Sequence, residues 1–290
     1  MIVPDQIVGV DAHHHFWDLR EGSYAWIRNR LHLPNMSRIE RDFEEPDFRR
    51  VMAANRVCRS LLVQTEKTAI ETDQMLARAQ HADFVAGVVG WADFEATDVA
   101  AEVARRAADP RIKGLRLWAL GVPSLDWLFA QPATEAFAVA HERGLTLELF
   151  SSAAQLGTIE ALLKSLPLPS IVLCHACKPE MGRWPIDGDA FRSWAGGMRR
   201  LAGLGTAVKL SGIVTECGDD WRVEDLKPYW QLLLDAFGPD RLIWGSDWPV
   251  IERAGGYSKW LNAVRELAAD LHADDRQAIF GGNATRIYEL

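Results

Sequence analysis

Three consecutive histidines, His13, His14 and His15, follow an apolar run in the stretch VDAHHHFWD. On an extended chain successive side chains point to opposite faces, so His13 and His15 share a side while His14 points away. Two imidazoles aimed the same way, joined by His175 and the carboxylate of Asp247, make a nitrogen and oxygen cluster of the kind that holds a zinc-like divalent ion. For an isolated pair of alternate histidines, plain hydrogen bonding inside a polar pocket is the commoner role. A third histidine and an aspartate at equivalent places later in the chain shift the balance toward a site.

Each of the two later residues sits in a distinctive setting. His175 lies in CHAC, a spacing shared with redox and metal motifs. If residues 170–178 are extended, Cys174 and Cys177 face opposite sides and cannot act as a pair. The following KPEMGRWP suits a loop and not the helix that a thioredoxin-type site opens. The cysteines therefore read as packing around a functional His175. Asp247 lies in GSDWPV, where Gly245 and Ser246 allow close approach and Pro249 stiffens the exit. A lone aspartate in a loop is usually a cap or turn former. Here an apolar strand and Trp244 and Trp248 surround it, which predicts burial and a raised proton affinity, as a general base requires.

These residues need elements that bring them together. Short β-branched apolar runs occur at 7–15, 58–66, 84–93, 112–120, 145–150, 170–178, 207–214 and 241–250. Between them lie helical patterns at 47–56, 70–82, 98–110, 133–144, 155–166, 189–205 and 223–238, with a closing one at 257–280. Strict alternation with near-continuous apolar strands predicts a parallel sheet covered by helices, and eight repeats in 290 residues predict a single (β/α)8 TIM barrel spanning 1–290. A doubly wound sheet would permit the same alternation, but no glycine-rich phosphate turn follows the first strand. Residues 19–46 and 179–189 read as elaborated loops that could cover a pocket.

In such barrels the working residues come from the C-terminal ends of the strands. Those ends carry His13 and His15, then Gln64 and Glu66, Trp91 and Asp93, Arg116 and Trp118, Glu148, His175 and Lys178, Lys209 and Ser211, and finally Asp247 and Trp248. Hydrophobic residues at 48% and charged residues at 25% describe an ordinary globular chain. The formal charge of −8 argues against nucleic acid or an anionic membrane as partner and in favour of a small molecule; a homodimer stays open. No apolar run reaches transmembrane length, and MIVPDQIVGVDAHHH shows no secretory leader. Four cysteines are too few for a disulfide framework, which favours the reducing cytoplasm.

Taken together, DAHHHFWD, VQTEKTAIET, GVVGWADF, KGLR, HACKP, KLSGIVTE, FGPDRLIWGSDWPV and the terminal GGNATRIYEL resemble the amidohydrolase superfamily over nearly the whole chain. Within it they resemble the lactonase-like branch that includes sugar lactonases and 2-pyrone-4,6-dicarboxylate lactonase. The resemblance implies His13 and His15 as the first-strand pair, His175 as the sixth-strand histidine and Asp247 as the aspartate that activates water. Binuclear members use a carbamylated lysine or a glutamate on strand four and a histidine on strand five, where this chain has Arg116 or Trp118 and Glu148. The implied cofactor is therefore one divalent ion on His13, His15 and Asp247, zinc by preference, or none. HACKP departs from the branch's DHxGKP in having cysteines for the Asp and the Gly.

The implied reaction is lactone hydrolysis. Arg116 and Lys178 would hold a substrate oxygen or carboxylate. Only Arg116 among the strand ends suits a dicarboxylate, whereas Trp91, Trp118 and Trp248 with Gln64, Glu66 and Glu148 suit a polyhydroxylated sugar ring, such as a fucono- or rhamnonolactone. Two alternatives remain at this level. One is a metal-dependent decarboxylase of an aromatic or unsaturated acid, built on a similar His, His, His, Asp set. The other is a sugar- or metal-binding protein, which has no need for a base beside the imidazoles.

Overall fold

A computed structural model describes residues 8–165 and 170–290; Ile7 of the first run, Leu166 of the 155–166 helix and the segment read for a secretory leader up to residue 7 lie outside them. Eight strands run in chain order, each parallel to the next: β1 Val8–His14, β2 Val57–Val63, β3 Val85–Gly90, β4 Ile112–Trp118, β5 Thr146–Phe150, β6 Ile171–Leu173, β7 Ala207–Leu210 and β8 Leu242–Trp244. The ring closes just beyond β8, where the Asp247 N–H donates to the His13 carbonyl at 2.8 Å and the His15 N–H to the Trp248 carbonyl at 2.7 Å. With helices following the strands, this is the (β/α)8 barrel.

Alternation along the strands sorts the apolar residues into two layers. Val10, Ala12, Leu61, Val63, Val89, Val172, Ala207 and Ile243 fill the barrel together with Tyr288 from the chain's end. Leu62, Val88, Leu115, Leu117, Leu147, Leu149, Leu173, Val208, Leu210 and Leu242 face the helices. Each fully buried aliphatic side chain contributes roughly 1.5–3 kcal/mol relative to exposure. Among the described residues no helix is long and apolar enough to cross a membrane.

Three expectations change. The runs at 170–178, 207–214 and 241–250 leave the ladder early, at Leu173, Leu210 and Trp244, although their remaining residues through 177, 214 and 249 stay buried. Apolar composition there reflects loops folded into the barrel mouth and not continued pairing. The closing 257–280 pattern is not one helix. It divides into Tyr257–Leu267 and Ala273–Gln277, then an irregular turn, then Asn283–Ile287. Gly281, at φ 155°, passes so close to β1 that a Cβ would lie 2.7 Å from the Val10 nitrogen, so a regular helix cannot continue there.

The third concerns β1. Three residue steps, Asp11 to His14, oppose two on β2, Ser60 to Leu62, which is a β-bulge. Val10 and Ala12 face the interior, so unbroken alternation would have turned His14 inward. The bulge reverses the phase and gives that face to His13 and His15.

The 19–46 segment forms the turns Ala25–Arg28 and Met36–Ile39 and enters the helix Glu45–Asn55. It is tied to two loops at the strand ends. Ser23 donates to Glu66 beyond β2 at 2.9 Å, and Arg38 grips Asp219 beyond β7 with two bonds of 2.7 Å.

Candidate active site

His13, His15 and His175 converge on Asp247. Their Nε2 atoms lie 3.7, 3.3 and 3.8 Å from Asp247 Oδ1, and the His13 ring centroid is 4.9 Å from that of His15 and 4.6 Å from that of His175. All four side chains are buried. His14 faces outward, stacked on Phe48 at 4.1 Å, and neither of its ring nitrogens has a partner. The four residues come from the first, sixth and last strand ends, which is where the sequence pattern put them.

Two left-handed turns aim the later pair. From His175 to Lys178 the φ angles are 52°, 48°, 56° and 50°, so CHACK is a left-handed turn and not the extended segment expected. For non-glycine residues this costs about 1–2 kcal/mol each, which surrounding contacts must offset. The Trp194 indole donates to the Ala176 carbonyl at 2.9 Å and holds the turn. Cys174 and Cys177 are both buried and not joined in a disulfide, with the Cys174 thiol donating to Glu148 at 3.0 Å. Asp247 is also left-handed, at φ 60°. Its predecessor is clamped to β1, because the Ser246 N–H and the His13 N–H both donate to Asp11 Oδ1, at 2.9 and 3.1 Å. Tyr257 donates to the other Asp11 oxygen at 2.9 Å.

Hydrogen bonds assign the tautomers of two imidazoles. His15 Nδ1 lies 2.6 Å from the Val63 carbonyl, which only accepts, so His15 carries a hydrogen there, while its Nε2 lies 3.3 Å from Asp247 Oδ1. The Arg116 guanidinium, which only donates, lies 3.4 Å from His175 Nε2, and His175 Nδ1 then donates to Ser211 at 2.9 Å. Burial drives His13 and His175 well below the ordinary imidazole range, and for His13 the Lys209 charge adds to it. Both are neutral at physiological pH. Burial alone would raise the Asp247 carboxyl, but His175, the His15 hydrogen bond and the Lys178 ammonium outweigh it and hold it well below the usual range. The raised proton affinity expected from its tryptophan neighbours is thus not found: the nearer imidazoles and cation decide, and Asp247 is ionised.

The other expected site residues divide into two groups. Gln64 and Arg116 are buried beside the cluster. Arg116 donates to the Gln64 carbonyl at 2.7 Å, and Gln64 Oε1 and Arg116 Nε are buried without partners. Trp91, Trp118, Glu66 and Lys178 are half-buried. Arg116 lies 4.0 Å over the Phe150 ring and 5.5 Å over Trp118, and Lys178 reaches Thr215 at 3.3 Å. Two residues stand apart. Glu148 is fully buried, with its oxygens taken by Lys209, Tyr288 and Cys174. Trp248 packs its ring among Phe16, Phe43 and Phe48.

Gly212 belongs to the site although its residue type carries no chemistry. At φ 57°, it lies where a Cβ would come within 2.5 Å of His175 Nδ1 and 2.7 Å of Asp247 Oδ2. A glycine placed straight after the seventh strand end was its only sequence signal.

The donor set suits a cation. Ligand atoms of His13, His15 and Asp247, all buried, lie within 4.8 Å of one another, and His13 Nε2 has no hydrogen-bond partner. The Val63 carbonyl behind His15 is the kind of second support that metal-bound imidazoles have. A second cluster, His13, Glu148 and Cys174, does not suit one: Lys209 already pairs with Glu148, and burial pushes the Cys174 thiol far up.

The chain resembles known proteins over nearly its full length. The chain is 35% identical to an L-fucono-1,5-lactonase of Burkholderia ambifaria, covering 97% of this chain and 95% of that one. It is 33% identical to an L-fucono-1,5-lactonase of Burkholderia multivorans, covering 97% and 96%. A crystal structure of an amidohydrolase from Burkholderia multivorans with bound zinc superposes with a TM-score of 0.85 at 30% identity, over 98% of this chain and 99% of that one. The family model described as Amidohydrolase matches residues 10–290, a span that begins just before the first histidines and takes in His175 and Asp247. The chain therefore belongs to the amidohydrolase family.

Proposed function

We propose that this protein hydrolyses a sugar lactone, an aldono-1,5-lactone of the L-fucono or L-rhamnono kind. The observation that carries the reading is an ionised Asp247 facing three imidazoles in a chain that matches two L-fucono-1,5-lactonases over nearly its full length.

Asp247 orients a water and accepts its proton as the water oxygen bonds to the lactone carbonyl carbon. The ring carbon–oxygen bond then breaks, its electron pair stays on the ring oxygen, and Asp247 returns the proton to give the hydroxy acid. Arg116, buried beside His175, stabilises the oxyanion with its guanidinium charge in a site of low dielectric. A zinc-like ion held by His13, His15 and Asp247 would add Lewis-acid polarisation of the carbonyl when bound. Half-buried Trp91 and Trp118 offer apolar faces to the sugar ring, and Gln64 Oε1 offers an acceptor for a hydroxyl. Four free cysteines support a reducing, cytoplasmic setting.

The test is a panel of aldono-1,5-lactones assayed by proton release with a pH indicator, with metal content measured on the same sample. Fast turnover of a hydroxylated six-membered lactone is expected. Carbon dioxide released from an aromatic acid, with every lactone inert, would replace the reading with decarboxylation.

A further inference from the structure

We propose that Lys209 is a positioning residue that fixes the tautomer of His13 and thereby limits how tightly His13, His15 and Asp247 hold a divalent ion. The inference rests on the ligand set above, but it is read from ion binding and not from turnover.

Behind the histidines lies a sealed polar layer. Lys209 on β7 and Glu148 on β5 form an ion pair, both fully buried. Glu148 also accepts from the Tyr288 hydroxyl at 2.6 Å and the Cys174 thiol at 3.0 Å, and the Lys209 ammonium lies 5.1 Å over the Tyr288 ring. These partners leave the ammonium little freedom. Toward the mouth it meets His13 Nδ1, 3.5 Å away.

An ammonium has donors and no acceptor, so the imidazole nitrogen it faces must present a lone pair. In neutral His13 the hydrogen then sits on Nε2, the atom 3.7 Å from the Asp247 carboxylate. That is a favourable arrangement for the ion-free enzyme and an unfavourable one for a ligand. Coordination through Nε2 needs the lone pair there, which moves the hydrogen to Nδ1 and turns N–H against the ammonium inside a dry barrel. His15 is set the other way, since its Nδ1–H is bound by the Val63 carbonyl, which leaves the lone pair of the neutral ring on Nε2, 3.3 Å from Asp247 Oδ1. One histidine of the pair is preset for a cation and the other against it.

The test compares zinc affinity of the full-length wild type with that of the double variant Lys209→Met/Glu148→Gln, by competition with a chromophoric chelator. Removing both charges avoids leaving a lone buried carboxylate. Supporting partners of this kind typically change metal affinity by 10–100-fold, so zinc should bind at least about 10-fold tighter to the double variant. Histidine nitrogen-15 NMR of the ion-free wild type should show His13 as the Nε2–H tautomer, and this reading needs no variant to fold. A folded double variant that binds zinc no tighter than wild type, or a wild-type His13 carrying its hydrogen on Nδ1, overturns the proposal. An enzyme inert to every lactone would leave both measurements readable, so the two claims fail separately.

Discussion

The barrel contains two polar layers, and they are built on opposite terms. In the deeper one, Glu148, Lys209, Tyr288 and Cys174 satisfy one another, and neither Glu148 oxygen is left open. In the mouth, His13 Nε2, Gln64 Oε1 and Arg116 Nε are equally buried and have no hydrogen-bond partner among the described residues. A buried polar group without a hydrogen bond costs on the order of 1–3 kcal/mol, so the contrast separates a layer whose polar groups satisfy one another from one that leaves polar atoms open, as the proposed substrate site requires. Strain follows the same division. The left-handed residues His175 to Lys178 and Asp247 belong to the mouth, where misfit is tolerated because it aims the reacting groups.

The sharpest way to break this comparison is Asp247→Asn. Loss of the base should lower kcat/KM on the lactone by about 10²- to 10⁴-fold in protein that remains folded by circular dichroism. A small loss would mean that the mouth does not work through this carboxylate. Gly212→Ala should come next. The new methyl meets His175 and Asp247 and adds left-handed strain of about 1–2 kcal/mol, and a displacement near 1 Å should cost roughly 10²-fold in turnover. Steady-state kinetics beside a urea melt would separate the two effects.

In the deeper layer, Tyr288→Phe removes one donor from Glu148 and should cost about 1–2 kcal/mol of stability, measured by urea unfolding. An unchanged midpoint would show that the sealed layer does not support the fold as described. The smallest effect belongs to His14, which lies outside both layers. Burial holds its imidazole well below the ordinary 6.5, so the folded state disfavours its proton. Its contribution to stability is complete above pH 6.5 and is lost as pH falls from there toward the depressed folded value. His14→Phe should therefore match or exceed wild-type stability at pH 8. Below pH 6.5 its stability should fall less steeply with pH, by up to about 1.4 kcal/mol per pH unit. Equal slopes for the two proteins would sink this reading.

Much of the architecture could be read from the chain. Apolar runs alternating with helical periodicity pointed to a parallel sheet under helices, because burial on both faces leaves near-continuous apolar strands, and the count of eight with no glycine-rich turn favoured the closed barrel. His13, His15, His175 and Asp247 were legible because each ends such a run. The reasons for their convergence were less so. Alternation named the correct β1 pair, yet the bulge between Asp11 and His14 is what turns that pair inward. The turn at 174–178 looked like strand because its residues are as buried as strand residues. Lys209 was visible as a strand end, but its pairing with Glu148, 61 positions away, was not.

By itself, the sequence determined which side chains arrive at the rim of the barrel, since hydrophobic periodicity is a local property written into neighbouring residues. Only the tertiary structure decided how each is used. Whether a carboxylate is ionised, which imidazole nitrogen keeps its hydrogen, and whether Glu148 meets a substrate or Lys209 all depend on groups brought within a few ångströms by closure of the ring, and electrostatics in a dry interior is set by those distances.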